Sequence, residues 1–396
     1  MRNGYVKLGD YIRQVDNRNK SLITSNLLGI NIDKQFMPSV ANIIGTDLSC
    51  YKLLSQYDFA FNPMHVGRDE RIPIALYLNQ GAAIVSPAYI TFKIDSDKLL
   101  CEYLMLWFRR SEFDRECWFY TDASVRGGIT WEDFCDLLIP LPSIEEQKRL
   151  VNTYKAIEDR IALKRKINDN LAASIHTLFR RIFIQSDNAN LFPIGKFSSF
   201  ITQTIGGDWG ESVANSNRVE VICIRGADIP YLNAGLISNA PTRFILKKNA
   251  ETKRILPHDI IVEISGGSPT QSTGRIAMMS HEVMMRHQAT FICSNFCRVI
   301  RIDPSYLYYF IEYWNYLYRN NRMFCYENSS TGLKNFDLDS FLNDEDIPIP
   351  PKAVSVRFNT EVAPMYSQII MNGFEIAELE RLKSNILPKF LLTSRR

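Results

Sequence analysis

Stepping along the chain from Leu150 by alternate intervals of four and three residues meets apolar side chains at Leu150, Tyr154, Ile157, Ile161, Leu171, Ile175, Leu178 and Ile182. The same walk begun 208 residues later meets Phe358, Val362, Met365, Ile369, Ile376, Leu379, Ile386 and Phe390. A seven-residue apolar repeat is the stripe that one helix lays against another. Two long helices are therefore expected, the first over Ile144 to Phe183, roughly 60 Å at 1.5 Å per residue. Ser143 and Glu146, three apart after Pro142, form a capping box at its start. Glu145 and Glu146 at that end, and Arg180 and Arg181 at the other, suit the helix dipole. The second helix has Ala353-Val354-Ser355 where the first has Glu145-Glu146-Gln147, and Pro388 should kink or end it. Lys164, Asn168, Asn372 and Lys383 interrupt the two stripes. Either they fix one pairing register, as buried polar residues do in coiled coils, or they rotate toward solvent.

The shared offset is not confined to the helices. Ile139-Pro140-Leu141-Pro142 returns as Ile347-Pro348-Ile349-Pro350, and Ser86 to Asp95 returns as Ser294 to Asp303. An aromatic helix follows each of the latter, Leu99 to Arg110 and Tyr306 to Arg319. Gly67-Arg68 matches Gly274-Arg275, and Leu8-Gly9-Asp10-Tyr11 matches Ile194-Gly195-Lys196-Phe197 at a shorter offset. The chain is read as a tandem duplication. It divides into a first β-rich domain (1–142), a long helix (143–184), a second β-rich domain (185–346) and a second long helix (347–396). The fold class is α+β: two globular domains with short helices, separated by two antiparallel coiled-coil helices, with an internal pseudo-twofold repeat.

Composition narrows the choice only a little. The 396 residues are 46% hydrophobic and 22% charged, as in soluble globular proteins. No run of about 18 apolar residues is present for a membrane span. The N-terminus lacks the apolar core of a signal peptide, so an intracellular protein is expected. Eight scattered cysteines make neither a disulfide scaffold nor a zinc motif. Cys293 and Cys297 lie in an apolar run that reads as one buried strand, and the thiols are taken as core residues. A net charge of +3 neither requires nor excludes nucleic acid, which needs charge on one face only.

Chemistry is sought in the polar loops. Ser265 to Arg275 follows the apolar strand Ile260 to Ile264, and Asn62 to Arg71 follows Phe59-Ala60-Phe61. Each loop is rich in small polar residues and tipped with arginine, which can grip guanine O6 and N7 with two hydrogen bonds. Ser124 to Gly128 and Ser329 to Lys334 occupy matching places upstream of the proline motifs. The candidate DNA contacts are Asn62, His65, Arg68, Arg71, Ser124, Arg126, Arg225, Ser268, Gln271, Thr273, Arg275, Ser329, Ser330 and Lys334. Residues shared by both halves, Arg68 and Arg275, equally suit a phosphate or a structural ion pair. Differing neighbours, His65 and Arg71 against Gln271 and Thr273, better suit distinguishing two sequences.

Leu138 to Gln147 leading into a long helix, with a degenerate copy after Ile347, resembles the specificity subunit of type I restriction–modification systems. Gly206-Gly207-Asp208-Trp209-Gly210, then Ile222 to Ile229, and the segment from Gly29-Ile30-Asn31 add to the likeness, which covers nearly the whole chain. The resemblance implies two target-recognition domains, each reading half of a bipartite asymmetric DNA site, with the helices as a ruler between them. It implies no catalytic centre and no cofactor on this chain. S-adenosylmethionine, ATP and Mg are expected on two modification (adenine methyltransferase) subunits and on restriction subunits with translocase and nuclease activity. A cytoplasmic prokaryotic setting, in host defence, follows from the same likeness.

Two alternatives remain from the residues alone. Asp303-Pro304-Ser305-Tyr306 is a near miss to the Asp-Pro-Pro-Tyr motif of adenine methyltransferases, with no Gly-rich cofactor loop before it. A coiled-coil scaffold without base recognition is the other. A nuclease or NTPase is disfavoured: Ser265 stands where a nuclease lysine would follow Asp259 and Glu263, and the loop from Gly266 has no Gly-Lys-Ser/Thr.

Overall fold

The structure is a computed structural model that describes residues 4–39, 45–121, 128–237, 239–268, 270–330 and 333–389. At 65, 67, 68, 188, 329, 330, 333 and 387–389 it describes the backbone alone. The chain divides into two compact units, Met1–Asp159 with Glu380–Arg396, and Arg160–Leu379. The division falls inside both long helices, Ile144–Phe183 and Lys352–Lys389. Each unit thus holds one β-rich head and a length of each helix.

In the first unit, strand Tyr5–Lys7 pairs antiparallel with the proline-motif strand Leu138–Pro140. A four-stranded antiparallel sheet follows in the order Ile12–Val15, Ile90–Ile94, Phe59–Phe61, Ile74–Leu76. Phe59, Phe61 and Phe92 point from this sheet into a core with Phe108, Phe113 and Phe134. Each such buried ring contributes roughly 1.5–3 kcal/mol by leaving water. In the second unit, Ile194–Gly195 pairs with Ile347–Pro348. Its sheet runs Ile201–Gly206, Cys297–Ile302, Ile260–Glu263, Ile276–Met278, the same order and sense. The duplication is therefore one of topology as well as of motif.

Two details of the sequence reading change. Tyr5 faces Pro140 as Ile194 faces Pro348, so the openings correspond at an offset of 189. The equivalence is Tyr5-Val6-Lys7-Leu8 with Ile194-Gly195-Lys196-Phe197, three residues from the expected one. Lys7 and Lys196 bear this out, donating to Asp136 and Asp346, each at 2.7 Å. The run around Cys293 and Cys297 is two strands, Phe291–Cys293 and Cys297–Ile302, belonging to different sheets. Cys223, Cys293 and Cys297 are buried, and burial pushes the Cys223 and Cys297 thiols up to about 12. Cys50 and Cys325 are exposed, contrary to the expectation that every thiol is core.

The long helices join their heads through a buried amide. Gln147, fully buried, donates through Nε2 to the carbonyls of Lys98 (2.8 Å) and Pro142 (2.9 Å) and accepts from the Leu100 N–H (2.9 Å). This ties the start of aromatic helix Cys101–Phe108 to the start of the long helix. The second copy has Ser355 at the matching position, its hydroxyl buried without a hydrogen-bond partner. Asn359, one helical turn on, does the work instead. Its Nδ2 donates to the Pro304 and Ser305 carbonyls (both 3.0 Å), and its Oδ1 accepts from the Tyr308 N–H (3.3 Å). A second tie repeats as well: the hydroxyls of Tyr103 and Tyr309 donate to the carbonyls of Pro140 and Pro348. Of the expected capping box only half forms, because Ser143 accepts from the Glu146 N–H while the Glu146 carboxylate holds Arg149.

The helices pair antiparallel. In the second unit Arg160 meets Glu375, Lys164 meets Asn372, Asn168 meets Ile369 and Phe179 meets Phe358. In the first, Lys383 sits over the Tyr154 ring and 3.1 Å from Glu158. The polar seam residues are the pairing rather than strays from it. Asn372, buried, accepts from Lys164 (2.9 Å) and Gln368 (2.9 Å) and donates to Asn168 (2.7 Å), whose own amide donates to the Ile369 carbonyl. Such a chain of donors and acceptors closes in one register only.

The apolar seam drifts from the heptad. Ile157, Ile161, Ile175, Phe358 and Val362 are buried as expected. Leu150 is buried in the core of the first head, and Leu178 is only partly buried beside Phe179 and Phe183, which are fully so. An uncoiled helix has 3.6 residues per turn, so a 3.5-residue pattern rotates off the contact over five turns. Leu171, Met365, Ile369, Leu379 and Ile386 are half-buried. Ile370 and Phe374 turn to the second head instead, and there Gly373 lies against the Ala234 carbonyl, 1.7 Å from where a Cβ would be. The second helix continues through Pro388 to Lys389.

Gln147→Ala leaves three backbone groups without their side-chain partner and should destabilise the first unit by about 1–3 kcal/mol. Thermal unfolding followed by circular dichroism tests this, and Asn359→Ala should do the same to the second unit. An unchanged melting profile in both would show that the amides do not anchor the heads.

Candidate nucleic-acid interface

Strands Glu327–Ser330 and Leu333–Phe336 form a hairpin in the second head. The two-residue strand Ser265–Gly266 adds to its edge, Ser265 facing Asn335 and Gly266 facing Lys334. The two loops singled out separately in the sequence are therefore one structure. Positive φ at Gly266 and Gly267 (+145° and +74°) lets the chain leave that edge sharply, a path closed to residues with a Cβ. Ser265 Oγ donates to Asn335 Oδ1 at 2.6 Å, and Ser268 exchanges backbone hydrogen bonds with Gln271 at the loop tip.

The first head brings its two loops together differently. Asn62 caps the turn Pro63–His65, which runs into the short helix Val66–Asp69, so the expected flexible loop is helical. The Ile129 N–H donates to the Pro63 carbonyl at 3.3 Å, and Gly128 packs on the same carbonyl, joining the second loop to the first. Arg71 is exposed. His65 and Arg68 are described by backbone alone, and Ser124 and Arg126 lie outside the described residues.

Most cations chosen from the second head's sequence are held by acids that the sequence reading passed over. Arg275 makes a two-bond pair with Glu263 (2.6 and 2.7 Å) and donates to the Gly226 carbonyl. Glu263 is 3% exposed. Arg225 pairs in the same way with Asp228 and donates to the Asn239 carbonyl. These carboxylates raise both guanidinium pKa values above the usual. Thr273 donates from Oγ1 to Glu327 at 2.9 Å, and Lys334 lies 3.1 Å from the same carboxylate and over the Phe324 ring. Ser329 and Ser330 lie in the hairpin, described by backbone alone. Gln271 and Thr270 are exposed and Ser268 half-exposed at the tip, where the Ser268 hydroxyl accepts from the Gln271 N–H at 3.1 Å.

The first head has its own internal cation. Lys34, buried, donates to Asp114 (2.7 Å) and to the Phe108 carbonyl, and burial lowers its pKa despite that partner. Nothing in the sequence pattern marks this pair, because its members lie 80 residues apart. Among the described residues no group of three His, Cys, Asp or Glu side chains could hold a metal ion. No described helix is long and apolar enough to cross a membrane. What the loops offer is a rigid base, cross-linked by ion pairs, carrying polar tips: an arrangement for binding a polar surface.

The comparisons point the same way. No protein-family model matches the chain. It is 23% identical over 328 residues, 75% of its length and 70% of the relative's, to the type I restriction enzyme MjaIX specificity subunit of Methanocaldococcus jannaschii. Its fold is shared with the type I restriction–modification S subunit from M. genitalium, with a TM-score of 0.60 at 12% identity over 98% of this chain and 96% of that one. It also aligns with the HsdS subunit from Thermoanaerobacter tengcongensis over 98% of this chain and 97% of that one, at 16% identity and a TM-score of 0.37. The likeness read from the proline motif and the duplicated helices is thus a likeness to type I specificity subunits in both sequence and fold.

Arg275→Ala should act on the fold before it acts on a ligand. It strands the Glu263 carboxylate in the core, which costs about 3–5 kcal/mol. Urea unfolding should show that loss, whereas Gln271→Ala should leave stability within about 0.5 kcal/mol of wild type. A stable Arg275→Ala protein would return that arginine to the list of direct ligand contacts.

Proposed function

We propose that this chain is the DNA-specificity subunit of a type I restriction–modification complex and carries no catalytic centre itself. The observation that carries the reading is the duplicated head: one sheet topology used twice, each time with two polar loops brought together. A reader of a two-part site needs two heads with a common frame and different tips. Here the tips differ, helical in the first head and hairpin-based in the second. The likeness to specificity subunits supports the same assignment.

In this reading residues 1–142 recognise one half of an asymmetric double-stranded site and residues 185–346 the other. The segments 143–184 and 347–396 set the spacing between halves. Two modification subunits bring the adenine methyltransferase and its S-adenosylmethionine, and restriction subunits bring ATP- and Mg-dependent translocation and cleavage. The complex acts on DNA in the cytoplasm of a prokaryotic cell.

Mapping methylated adenines in cells that express the chain with its modification subunit should reveal one split sequence. Exchanging residues 1–142 for another such domain should change one half of that sequence and leave the other. Inserting two heptads after Leu171, with the matching insertion in the second helix, should lengthen the gap and keep both halves. Methylation without a split site, or a change in both halves after the exchange, would overturn the assignment.

A further inference from the structure

The Gly206-Gly207-Asp208-Trp209-Gly210 segment and the turn Ser294 to Cys297 border the loop cluster. Gly207 lies against the Ser294 carbonyl, so close that a Cβ there would stand 1.9 Å from it. The Phe296 carbonyl accepts from the N–H groups of Ile264 (2.9 Å) and Ser265 (3.3 Å), the residues at which the recognition loop begins. The two turns and the loop are consecutive parts of one rim of the second head.

Two large aromatic side chains stand out from that rim. Phe296 is 56% exposed and Trp209 39%. Neither is loosely held. The turn under Phe296 is closed by the Cys297 N–H donating to the Ser294 carbonyl at 2.9 Å. Trp209 is fixed by Arg243, whose guanidinium donates to the carbonyls of Trp209 and Gly210 and stacks 4.5 Å over the indole. Asp208 is in turn bound by Asn249 at 2.7 Å, and the Gly207 carbonyl by Lys253 at 2.8 Å. Ordering a backbone around an apolar side chain that then remains in water offsets stability unless the side chain meets something.

Charge says what it meets. Arg243 donates to carbonyls and has no carboxylate partner among the described residues. Arg298, beside Gly206, has no ion pair among the described residues. Of the acids nearby, Asp208, Glu211, Asp228, Glu263 and Glu327 each have a cation partner inside the head. An apolar tip among unneutralised arginines suits DNA, where the arginines meet phosphates and the ring meets bases.

The first head supplies a comparison. Its matching turn, Ser86 to Tyr89, has the same closing bond, Tyr89 N–H to the Ser86 carbonyl at 3.0 Å, but Ala88 stands where Phe296 does. The turn therefore folds without the ring. Resting on the DNA-reading assignment, we propose that Phe296, supported by Trp209 and Arg298, is a base-contacting specificity determinant of the second head alone.

The test uses the full chain co-purified with its modification subunit, on a duplex carrying the site defined by methylation mapping. Phe296→Ala gives the second head the first head's turn residue and should melt as wild type does. Cognate affinity, read by fluorescence anisotropy, should fall about tenfold to a hundredfold. Affinity for a duplex with the second head's half-site scrambled should not change. The methylation map should relax within that half only. Undiminished cognate affinity, equal loss on both duplexes, or relaxation in the other half would each overturn the proposal. If Phe296→Ala melts early, Phe296→Gln, which keeps the side chain's length, is read in the same way. A wild-type complex that does not distinguish the two duplexes would sink the DNA-reading assignment itself, a separate outcome.

Discussion

Everything in each unit depends on a single polar contact, the side-chain amide where the head meets its long helix. A buried backbone group without a partner costs about 1–3 kcal/mol, so the start of the aromatic helix cannot be packed against the long helix unless something answers its N–H and the carbonyls before it. Gln147 answers three such groups in the first unit and Asn359 three in the second. The tyrosine bonds to Pro140 and Pro348 then fix the proline-motif strand to the same helix. That strand leads directly into the long helix. Moving the amide by one turn, from the position of Gln147 to that of Asn359, preserved the contact while the local sequence changed. The constraint is on the bond and not on the letter.

The helix pair obeys a similar logic. A wholly apolar seam would allow neighbouring registers of nearly equal energy. Asn168, Asn372 and Lys164 make hydrogen bonds that only one alignment satisfies, and Lys164 also pairs with Glu375 at 2.8 Å. Polar seam residues give up packing energy for a defined register. The proposed role of these helices as a spacer of fixed interval requires that definition, which apolar contacts alone do not provide.

The frame was legible in the sequence because repetition is. An offset of 208 carried the proline motifs, the strands before the aromatic helices and the helix seams, and all of these recur in the structure. The short opening strands were placed three residues out, since a three-residue match between Leu8 and Ile194 carries little information and only the pairing to Pro140 and Pro348 fixes it. The heptad walk missed Phe179 and Phe183 because an α-helix of 3.6 residues per turn rotates away from a 3.5-residue count. The interface was less readable. Arg275 and Arg225 advertise themselves as loop arginines, but Glu263 reaches Arg275 from a neighbouring strand, a meeting no local pattern encodes, whereas Asp228, three residues from Arg225, is a local partner that the search for loop cations did not weigh. Ala88 and Phe296 occupy one turn position, and their difference gains meaning only once the turn is seen to border the loop.

These internal ion pairs bear on how such a head would discriminate. A recognition loop that must first be ordered gives up part of its binding energy to lost conformational freedom, and the loss is the same for right and wrong sequences. Loops already cross-linked by Arg275–Glu263, Arg225–Asp228 and Thr273–Glu327–Lys334 carry little of that cost. Their charges, being neutralised, add little general attraction to phosphate either. The sequence-dependent part of the interaction is then left to the tips, where Ser268, Thr270 and Gln271 can exchange hydrogen bonds and Phe296 can present an apolar face. A rigid, nearly neutral base with a few uncommitted tips favours discrimination over bulk affinity. That is the balance that the proposed role of a DNA-specificity subunit calls for.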